Sequence, residues 1–98
     1  MSAPATWGAV LDNSARNRYE LQVDGEVAFI NYRRVGDVVT MTHAEVPVRF
    51  EGKGVGSALA RGALDRVRAS GERVVPACPF ISVYIERHGE YRDLVVAP

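Results

Sequence analysis

The stretch from Val46 to Leu64, VPVRFEGKGVGSALARGAL, carries the most information in this chain. It places a glycine-rich turn, with glycines at positions 52, 54 and 56, between a strand-like segment and an amphipathic helical segment. Because glycine has no Cβ, alternate glycines let a bulky anion approach the main chain. The helix that follows begins with N–H groups that have no partner inside the helix and that carry the positive end of its dipole. The pattern therefore predicts a phosphate site built from backbone.

The residues on both sides of this turn show clear periodicity. After the turn, apolar residues recur at helical spacing, which predicts a helix from Val55 to about Ser70 that ends at Gly71. Well before the turn, apolar and polar residues alternate over 19–24, as in a half-buried strand. The spacing of apolar residues therefore changes from a strand pattern to a helix pattern across the glycine turn.

The remaining elements follow from turn signals and composition. Asp24-Gly25 predicts a two-residue hairpin turn, and further strands are predicted over 26–33, 38–46 and 73–78, with a second helix over 80–88. Pro76 is unsuited to a central strand, so it predicts an edge strand, a bulge or a point where neighbouring strands separate. The order βββαβα predicts an α/β fold with a mixed, mostly antiparallel sheet that contains one parallel pair.

Composition narrows the class of protein. The 98 residues are enough for one domain, and they include 12 basic residues, 12 acidic residues and one cysteine. Zero net charge gives no support for a nucleic-acid or membrane partner, and without a signal-peptide pattern we expect a cytoplasmic protein. Residues 1–14 are aperiodic and are predicted to form a loosely ordered lead-in, with a single domain over 15–98.

Two common phosphate motifs do not fit the turn. A P-loop ends in Gly-Lys followed by Ser or Thr, whereas Lys53 precedes Gly54 here. A dinucleotide fingerprint requires a third glycine where this chain has Leu59. A glycine-rich connector without a ligand is the remaining structural alternative.

The ordered set of motifs resembles the GNAT superfamily of acetyl-coenzyme A-dependent N-acetyltransferases, and more narrowly its minimal branch. The resemblance rests on the Asp24-Gly25 hairpin and on three strings: THAEVP over 42–47, EGKGVGSAL over 51–59 and PACPF over 76–80. It extends over about residues 13–93.

The resemblance implies where acetyl-coenzyme A binds. Coenzyme A would lie where the strands over 38–46 and 73–78 splay apart, with its pantetheine arm along the backbone from Val46 to Val48. A main-chain N–H close to Val46 would polarise the thioester carbonyl. The glycine turn and the helix start would hold the diphosphate, and no metal is implied. The candidate binding residues are Val46, Val48, Gly52, Lys53, Gly54, Val55, Gly56 and Ser57.

The turn departs from the superfamily pattern at one position. With Gly54 and Gly56 in the two glycine slots, Glu51 occupies the slot for Gln or Arg. Its carboxylate would repel the diphosphate unless the side chain points outward or Arg49 or Lys53 compensates. A second register, which starts at Arg49, restores the arginine but displaces the helix by two residues.

Transfer to an amine requires one group that takes a proton and another that gives one. His43 and Glu45 stand two apart in a predicted strand, so they share a face. We expect that face to end beside the glycine turn. Imidazole titrates near neutral pH, which suits His43 as the base, and Glu45 could act directly or through water. A solvent-facing polar pair is the structural alternative.

Three further residues have a chemical and a structural interpretation. Cys78 is an acetyl-accepting thiol, a wall of the pocket, or an inert buried residue. Tyr84 lies in a segment similar to the superfamily's Tyr-Glu-Lys-x-Gly, whose tyrosine can protonate the coenzyme A thiolate, although it could equally pack in the core. His88 is more typical of a cation at a helix C-terminus. Trp7 has no assigned role.

We therefore predict a protein that binds acetyl-coenzyme A and transfers acetyl to a primary amine of a protein, peptide or small molecule. The resemblance implies an open acceptor side, because Asp24-Gly25 replaces helices that larger relatives carry between those strands. One alternative is a non-catalytic acyl-coenzyme A binding or sensing module that acts through a protein partner, which Glu51 motivates. Another is a small interaction domain without a cofactor.

Overall fold

A computed structural model describes residues 7–96 as one sheet with two helices packed on one of its faces. The five strands lie in chain order across the sheet. They are β1 (Leu11–Asn13), β2 (Arg18–Val23), β3 (Glu26–Val35), β4 (Val38–Glu45) and β5 (Arg73–Pro76), and the helices are α1 (Val55–Ala69) and α2 (Pro79–Arg87). Short 3₁₀ turns cover Ser14–Arg16, Val48–Phe50 and Gly89–Leu94. The predicted α/β fold with a mixed sheet is confirmed.

Strands β1 to β4 form an antiparallel meander, and β4 pairs with β5 in parallel. The β2–β3 turn consists of Asp24 and Gly25, whose φ angles of 49° and 82° are both positive, as the sequence predicted for a two-residue hairpin. The parallel pair requires a crossover, and α1 supplies it. α1 ends where Gly71 adopts a φ of 71°, which is the helix stop that the glycine predicted.

The core lies between the sheet and the helices. One face of β3 is buried there, with Ala28 and Ile30 fully inaccessible and Tyr32 nearly so. Leu59, Ala63 and Val67 of α1 are also fully buried, which confirms the predicted helical stripe. The opposite face of the sheet carries half-buried and exposed side chains, among them Phe29, Asn31 and His43.

The N-terminal segment differs from the prediction of a loosely ordered lead-in over 1–14. Residues 1–6 lie outside the described part of the chain, but Leu11–Asn13 forms β1 and pairs with residues 18–20 of β2. Three residues are too few to show an alternating pattern, so periodicity could not find this strand. Just before it, Val10 is buried against α1, where a Cβ added to Gly62 would lie 2.3 Å from a methyl carbon of Val10.

A partly buried network of hydrogen bonds connects β1 to β3 and to the turn between α1 and β5. Arg34 of β3 donates to Asp12 of β1 at 3.1 Å and to Glu72, beyond α1, at 2.7 Å, and the Tyr32 hydroxyl donates to Asp12 at 2.5 Å. Burial by itself would lower the pKa of Arg34, but its hydrogen bonds to Glu72, Tyr32 and Asp12 raise that pKa above its ordinary value. The guanidinium therefore stays charged and joins the start of the described chain to the α1–β5 turn.

The parallel pairing ends early, at Met41 opposite Pro76. Pro76 has no N–H to donate to the ladder, the Ala77 N–H turns back to the carbonyl of Val75 at 3.0 Å, and the Cys78 N–H bonds to the carbonyl of Met41 at 2.9 Å. The prediction from Pro76 is confirmed, since β5 is the last strand in the sheet order and separates from β4 at this residue.

A β-bulge lies in β4 immediately after that point. His43 is opposite Asn31 and Met41 is opposite Tyr32, so Thr42 is an extra residue in the ladder. A bulge residue exchanges the two faces of the strand that follows it. Met41, before the bulge, points into the core, whereas His43 and Glu45, after the bulge, point away from the core.

We predict that Gly62→Ala destabilises the protein. Glycine to alanine inside a helix ordinarily stabilises by up to about 1 kcal/mol, but here the new Cβ would overlap Val10, and overpacking costs about 1–3 kcal/mol. Denaturant unfolding measures the free energy of unfolding, and Arg61→Ala at the neighbouring exposed position is the control. A Gly62→Ala variant as stable as the wild type would mean that Val10 does not pack on α1.

Candidate functional site

A cavity of about 310 Å³ lies between the end of β4, the start of α1 and the start of α2. Its walls are mainly apolar, and the glycine turn forms one side. The lining residues are Ala44, Val46, Phe50, Glu51, Gly52, Gly56 and Phe80. This is the place where β4 has lost its partner strand, so an edge of backbone borders the cavity.

The glycine turn has the conformation that its glycines predicted. Gly52 and Gly54 adopt φ angles of 78° and 87°, in the region that L side chains rarely occupy. Gly56 is favoured for a different reason, since a Cβ there would lie 3.0 Å from the ring of Phe80, closer than ordinary van der Waals contact. Glycine at these positions lets the turn, the helix and α2 meet at one point.

The first turn of α1 offers unpaired donors. Its first intrahelical bond is the Ala58 N–H to the carbonyl of Gly54 at 3.0 Å. Within residues 7–96, the N–H groups of Val55, Gly56 and Ser57 have no backbone acceptor, and no side chain caps the helix. The first turn also contains no acidic residue. These donors, with the helix dipole, fit an anionic ligand.

The charges around the turn are less favourable. Glu51 lines the cavity, so its carboxylate is close to the place where an anion would bind. Arg49 forms an ion pair with Glu26 and lies over the ring of Phe50, with its guanidinium carbon 4.5 Å from the ring centre. Lys53 is exposed and has no ion-pair partner among the described residues. Of the two cations expected to compensate Glu51, Lys53 is the more available.

His43 and Glu45 share a face, as predicted, and they contact each other. The Nε2 atom of His43 lies 3.1 Å from an Oε2 atom of Glu45, and both side chains are more than half exposed. Because of the bulge at Thr42, this face is the open one, and it is Ala44 and Val46 that line the cavity beside the glycine turn. The His43–Glu45 pair and the cavity thus lie on opposite faces of the same part of β4, the part that pairs with β3 but not with β5.

The open face around His43 is both aromatic and charged. The ring centre of Phe29 lies 6.5 Å from that of His43, and the guanidinium carbon of Arg18 lies 4.5 Å from the centre of the Phe29 ring. Arg18 also pairs with Glu20 at 2.5 Å. Glu20, Phe29 and Glu45 stand side by side in the register of β2, β3 and β4.

Cys78 is buried and lies at the beginning of α2. Its N–H bonds to Met41, and its carbonyl accepts from the N–H of Ser82 at 3.0 Å, so it joins β4 to the helix. Cys78 is not among the residues that line the cavity.

Tyr84 is buried on α2, with its ring stacked on that of His88 at 3.9 Å between ring centres. Burial raises the pKa of the Tyr84 phenol, and the guanidinium of Arg61 partly offsets this shift. Tyr84 does not line the cavity, but it follows Phe80 by one helical turn and therefore lies on the same side of α2. His88 follows α2 directly, with Nδ1 2.9 Å from the carbonyl of Tyr84.

Sequence reasoning missed part of the cavity wall. Ala44, Phe50 and Phe80 line it, yet none was singled out as a site residue. The sequence signal for Phe80 was Gly56, because a glycine inside a helix often marks a position where another side chain packs closely. Here that side chain is Phe80. Val48, which the resemblance implied as a binding residue, is 82% exposed and lies outside the cavity wall.

The described residues hold neither a metal-binding cluster nor a membrane-spanning helix. Residues 7–96 contain no group of three or more His, Cys, Asp or Glu side chains that could hold a metal ion. Neither α1 nor α2 has the length and apolar composition needed to cross a bilayer.

Comparisons with known proteins agree with the geometry. A family model described as GCN5-related N-acetyl-transferase matches residues 18–94. The NMR solution structure of a "GCN5-like putative N-acetyltransferase" from Staphylococcus aureus aligns with a TM-score of 0.65 over 84% of this chain and 83% of that chain, at 24% identity. At this identity the likeness establishes the fold. No curated protein matches the chain.

Proposed function

This chain belongs to the GCN5-related N-acetyltransferase family, and from that premise we propose that it binds acetyl-coenzyme A and transfers its acetyl group to a primary amine. The observation that carries the proposal is the first turn of α1. Three backbone donors without partners among residues 7–96 lie beside an apolar cavity, at the place where β4 and β5 separate. The expected cytoplasmic location stays a prediction.

The chain would supply binding groups for the diphosphate and for the pantetheine arm of the coenzyme. The backbone N–H groups from Gly52 to Ser57 would hold the diphosphate, with Lys53 as the nearby cation. The edge of β4 that faces away from β3, continued at Val46 toward Val48, would hold the amide-containing pantetheine arm. In that continuation the carbonyls of Pro47 and Val48 already accept from the N–H groups of Phe50 and Glu51. The apolar walls formed by Phe50 and Phe80 would exclude water from it.

The coenzyme brings the acetyl group as a thioester. In the transfer, the amine nitrogen forms a bond to the carbonyl carbon and loses a proton, while the carbon–sulfur bond breaks and the sulfur takes a proton. The tasks left to the protein are to accept the first proton, to deliver the second and to stabilise the carbonyl oxygen. A main-chain N–H of β4 close to Val46 is our candidate for the last task.

We assign the acceptance of the amine proton to His43, with Glu45 as a positioning residue. If the imidazole donates from Nε2 to the Glu45 carboxylate, its Nδ1 atom is left as a proton acceptor. The pair lies on the open face of β4, so an amine would approach from the side opposite to the cavity.

Tyr84 is our candidate for delivering a proton to the coenzyme sulfur, and Cys78 helps to form the pocket by placing the start of α2. A tyrosine phenol is protonated at neutral pH, as an acid must be, and burial raises the pKa of Tyr84 further in the same direction. Cys78 positions the start of α2 through its two backbone hydrogen bonds, and its buried thiol, which lies outside the cavity wall, is consistent with an inert residue.

The acceptor amine is expected to belong to a protein or peptide. The two-residue turn at Asp24 and Gly25 adds no structure beside the open sheet face. An extended, exposed face suits a macromolecular acceptor better than an enclosed small molecule.

Glu51 favours a second candidate function, a non-catalytic acyl-coenzyme A binding or sensing module. A carboxylate in the cavity wall weakens anion binding, and a sensor needs only moderate affinity. Acetyl-coenzyme A binding without release of free coenzyme A across a panel of peptide and small amines would favour this function over transfer.

We predict that Gly54→Val weakens acetyl-coenzyme A binding more than tenfold. A branched side chain at a φ of 87° strains the N-terminal cap of α1 and disturbs the donors that follow. Isothermal titration calorimetry measures the dissociation constant. Gly71→Val is the matched control, because it places the same strain, at a φ of 71°, just beyond the other end of α1.

The two variants separate binding from stability. Both should lower the free energy of unfolding, but only Gly54→Val should lower the affinity. Equal affinities in the two variants would remove the turn from the site, and no measurable binding by the wild type would overturn the proposed function.

We predict that His43→Ala lowers kcat/KM about 100-fold, within the range for loss of a general base. Glu45→Gln keeps a hydrogen-bonding group beside the imidazole, so we expect a smaller loss, about tenfold. Steady-state assays of free thiol release test both. A larger loss in Glu45→Gln would make Glu45 the base instead.

We predict that Glu51→Gln strengthens acetyl-coenzyme A binding about two- to fivefold at low salt, since it removes a like charge from the cavity wall. The gain should shrink as ionic strength rises. Glu86→Gln makes the same change of charge at an exposed position on α2 and is the control. An identical gain in both variants would reflect net charge rather than the site.

A further inference from the structure

We infer that Trp7 is part of the coenzyme site and that its indole ring contacts the adenine base of the bound coenzyme. This inference rests on the proposed function, because it requires a diphosphate on the glycine turn. It extends the site to a residue outside the span of the family match, which begins at residue 18. Trp7 is the single tryptophan of the chain.

Trp7 lies directly beside the glycine turn. Its Cη2 atom would be 3.9 Å from a Cβ built on Gly54, which is ordinary van der Waals contact. Gly54 immediately precedes α1, so the indole stands at the edge of the unpaired donors of the first turn. The ring is partly buried and packs against the core, and part of it remains accessible to a ligand.

The position of Trp7 is fixed by the residues that follow it. Three residues later, Val10 is buried against Gly62, and the Nε atom of Arg66 donates to the carbonyl of Val10 at 2.5 Å. Gly54 and Gly62 are eight residues apart, about 12 Å along a helix, so the segment from Trp7 to Val10 runs beside α1 toward its N-terminus. Trp7 is thereby held near the turn by the residues that follow it.

The shape of the coenzyme determines which part of it can reach Trp7. The cavity lies on the side of the turn that Gly52 and Gly56 border, and Trp7 is not among its lining residues. Coenzyme A carries the pantetheine arm on one side of its diphosphate and the adenosine on the other. With pantetheine in the cavity, the adenosine would leave the turn away from the cavity wall, and Trp7, which is outside that wall and beside Gly54, is placed to meet it.

The chemistry of the two groups is complementary. A base stacked on an aromatic side chain gains about 1–3 kcal/mol, and an indole held in place by packing loses little entropy when it stacks. Near Glu51, where the electrostatic contribution is unfavourable, such a contact would supply affinity that does not depend on charge.

The experiment compares coenzyme A with 4′-phosphopantetheine, which lacks the 3′-phosphoadenosine and one phosphate of the diphosphate, so the effect of each Trp7 substitution is compared between the two ligands. Dissociation constants of both are measured by calorimetry, with competition against acetyl-coenzyme A for the weaker ligand, on the wild type, Trp7→Ala and Trp7→Phe. We expect Trp7→Ala to weaken coenzyme A binding about tenfold or more, to leave 4′-phosphopantetheine within twofold, and Trp7→Phe to retain most of the affinity. Saturating coenzyme A should also change the tryptophan emission, and 4′-phosphopantetheine should not.

Three results would overturn the inference while leaving the proposed function intact. Equal losses for both ligands would make Trp7 a support for the turn rather than a contact for the base. Unchanged affinity in Trp7→Ala would place the adenine elsewhere, and tighter binding would mean that the indole obstructs the site. A wild type that binds neither ligand would instead overturn the proposed function itself.

Discussion

The site depends on the point where the parallel pairing of β4 and β5 ends. Two prolines lie there, Pro76 at the end of β5 and Pro79 at the start of α2. Neither can donate to the ladder, so the last backbone bond between the two segments runs from the Cys78 N–H to the carbonyl of Met41. β4 continues to Glu45 with no strand on that side among the described residues, and α2 begins at Pro79, where proline suits a helix start. The cavity, the backbone edge and the start of both helices all follow from this interruption.

The bulge at Thr42 is the second constraint, since it decides which side chains face the gap. Without it, His43 and Glu45 would continue the face of Val39 and Met41 and enter the core. With it, Ala44 is left to line the cavity, and the two polar groups lie on the open face. A single extra residue therefore separates the binding side of β4 from the side available to an acceptor.

Features set by local chemistry could be predicted from the sequence, and features set by distant pairing could not. The hairpin at Asp24, the start of α1 at Val55 and the strand separation at Pro76 each follow from the conformational preferences of one or two residues. The bulge depends on the β3–β4 register, and β1 is held by long-range bonds to Arg34. The placement of Phe80 in the cavity wall depends on the packing of α2 against α1.

The site combines a favourable backbone with an unfavourable side chain. The donors at the start of α1 attract an anion, but Glu51 lies in the cavity wall and Arg49 is committed to Glu26. Under the proposed function, net affinity would come from the helix start, from Lys53 and from apolar contact with the pantetheine arm. Because apolar contact is insensitive to salt and the ionic contributions are not, the balance between them would fix how that affinity varies with ionic strength. A coenzyme bound with this balance would be held without being held tightly, which would suit repeated exchange of acetylated and free forms.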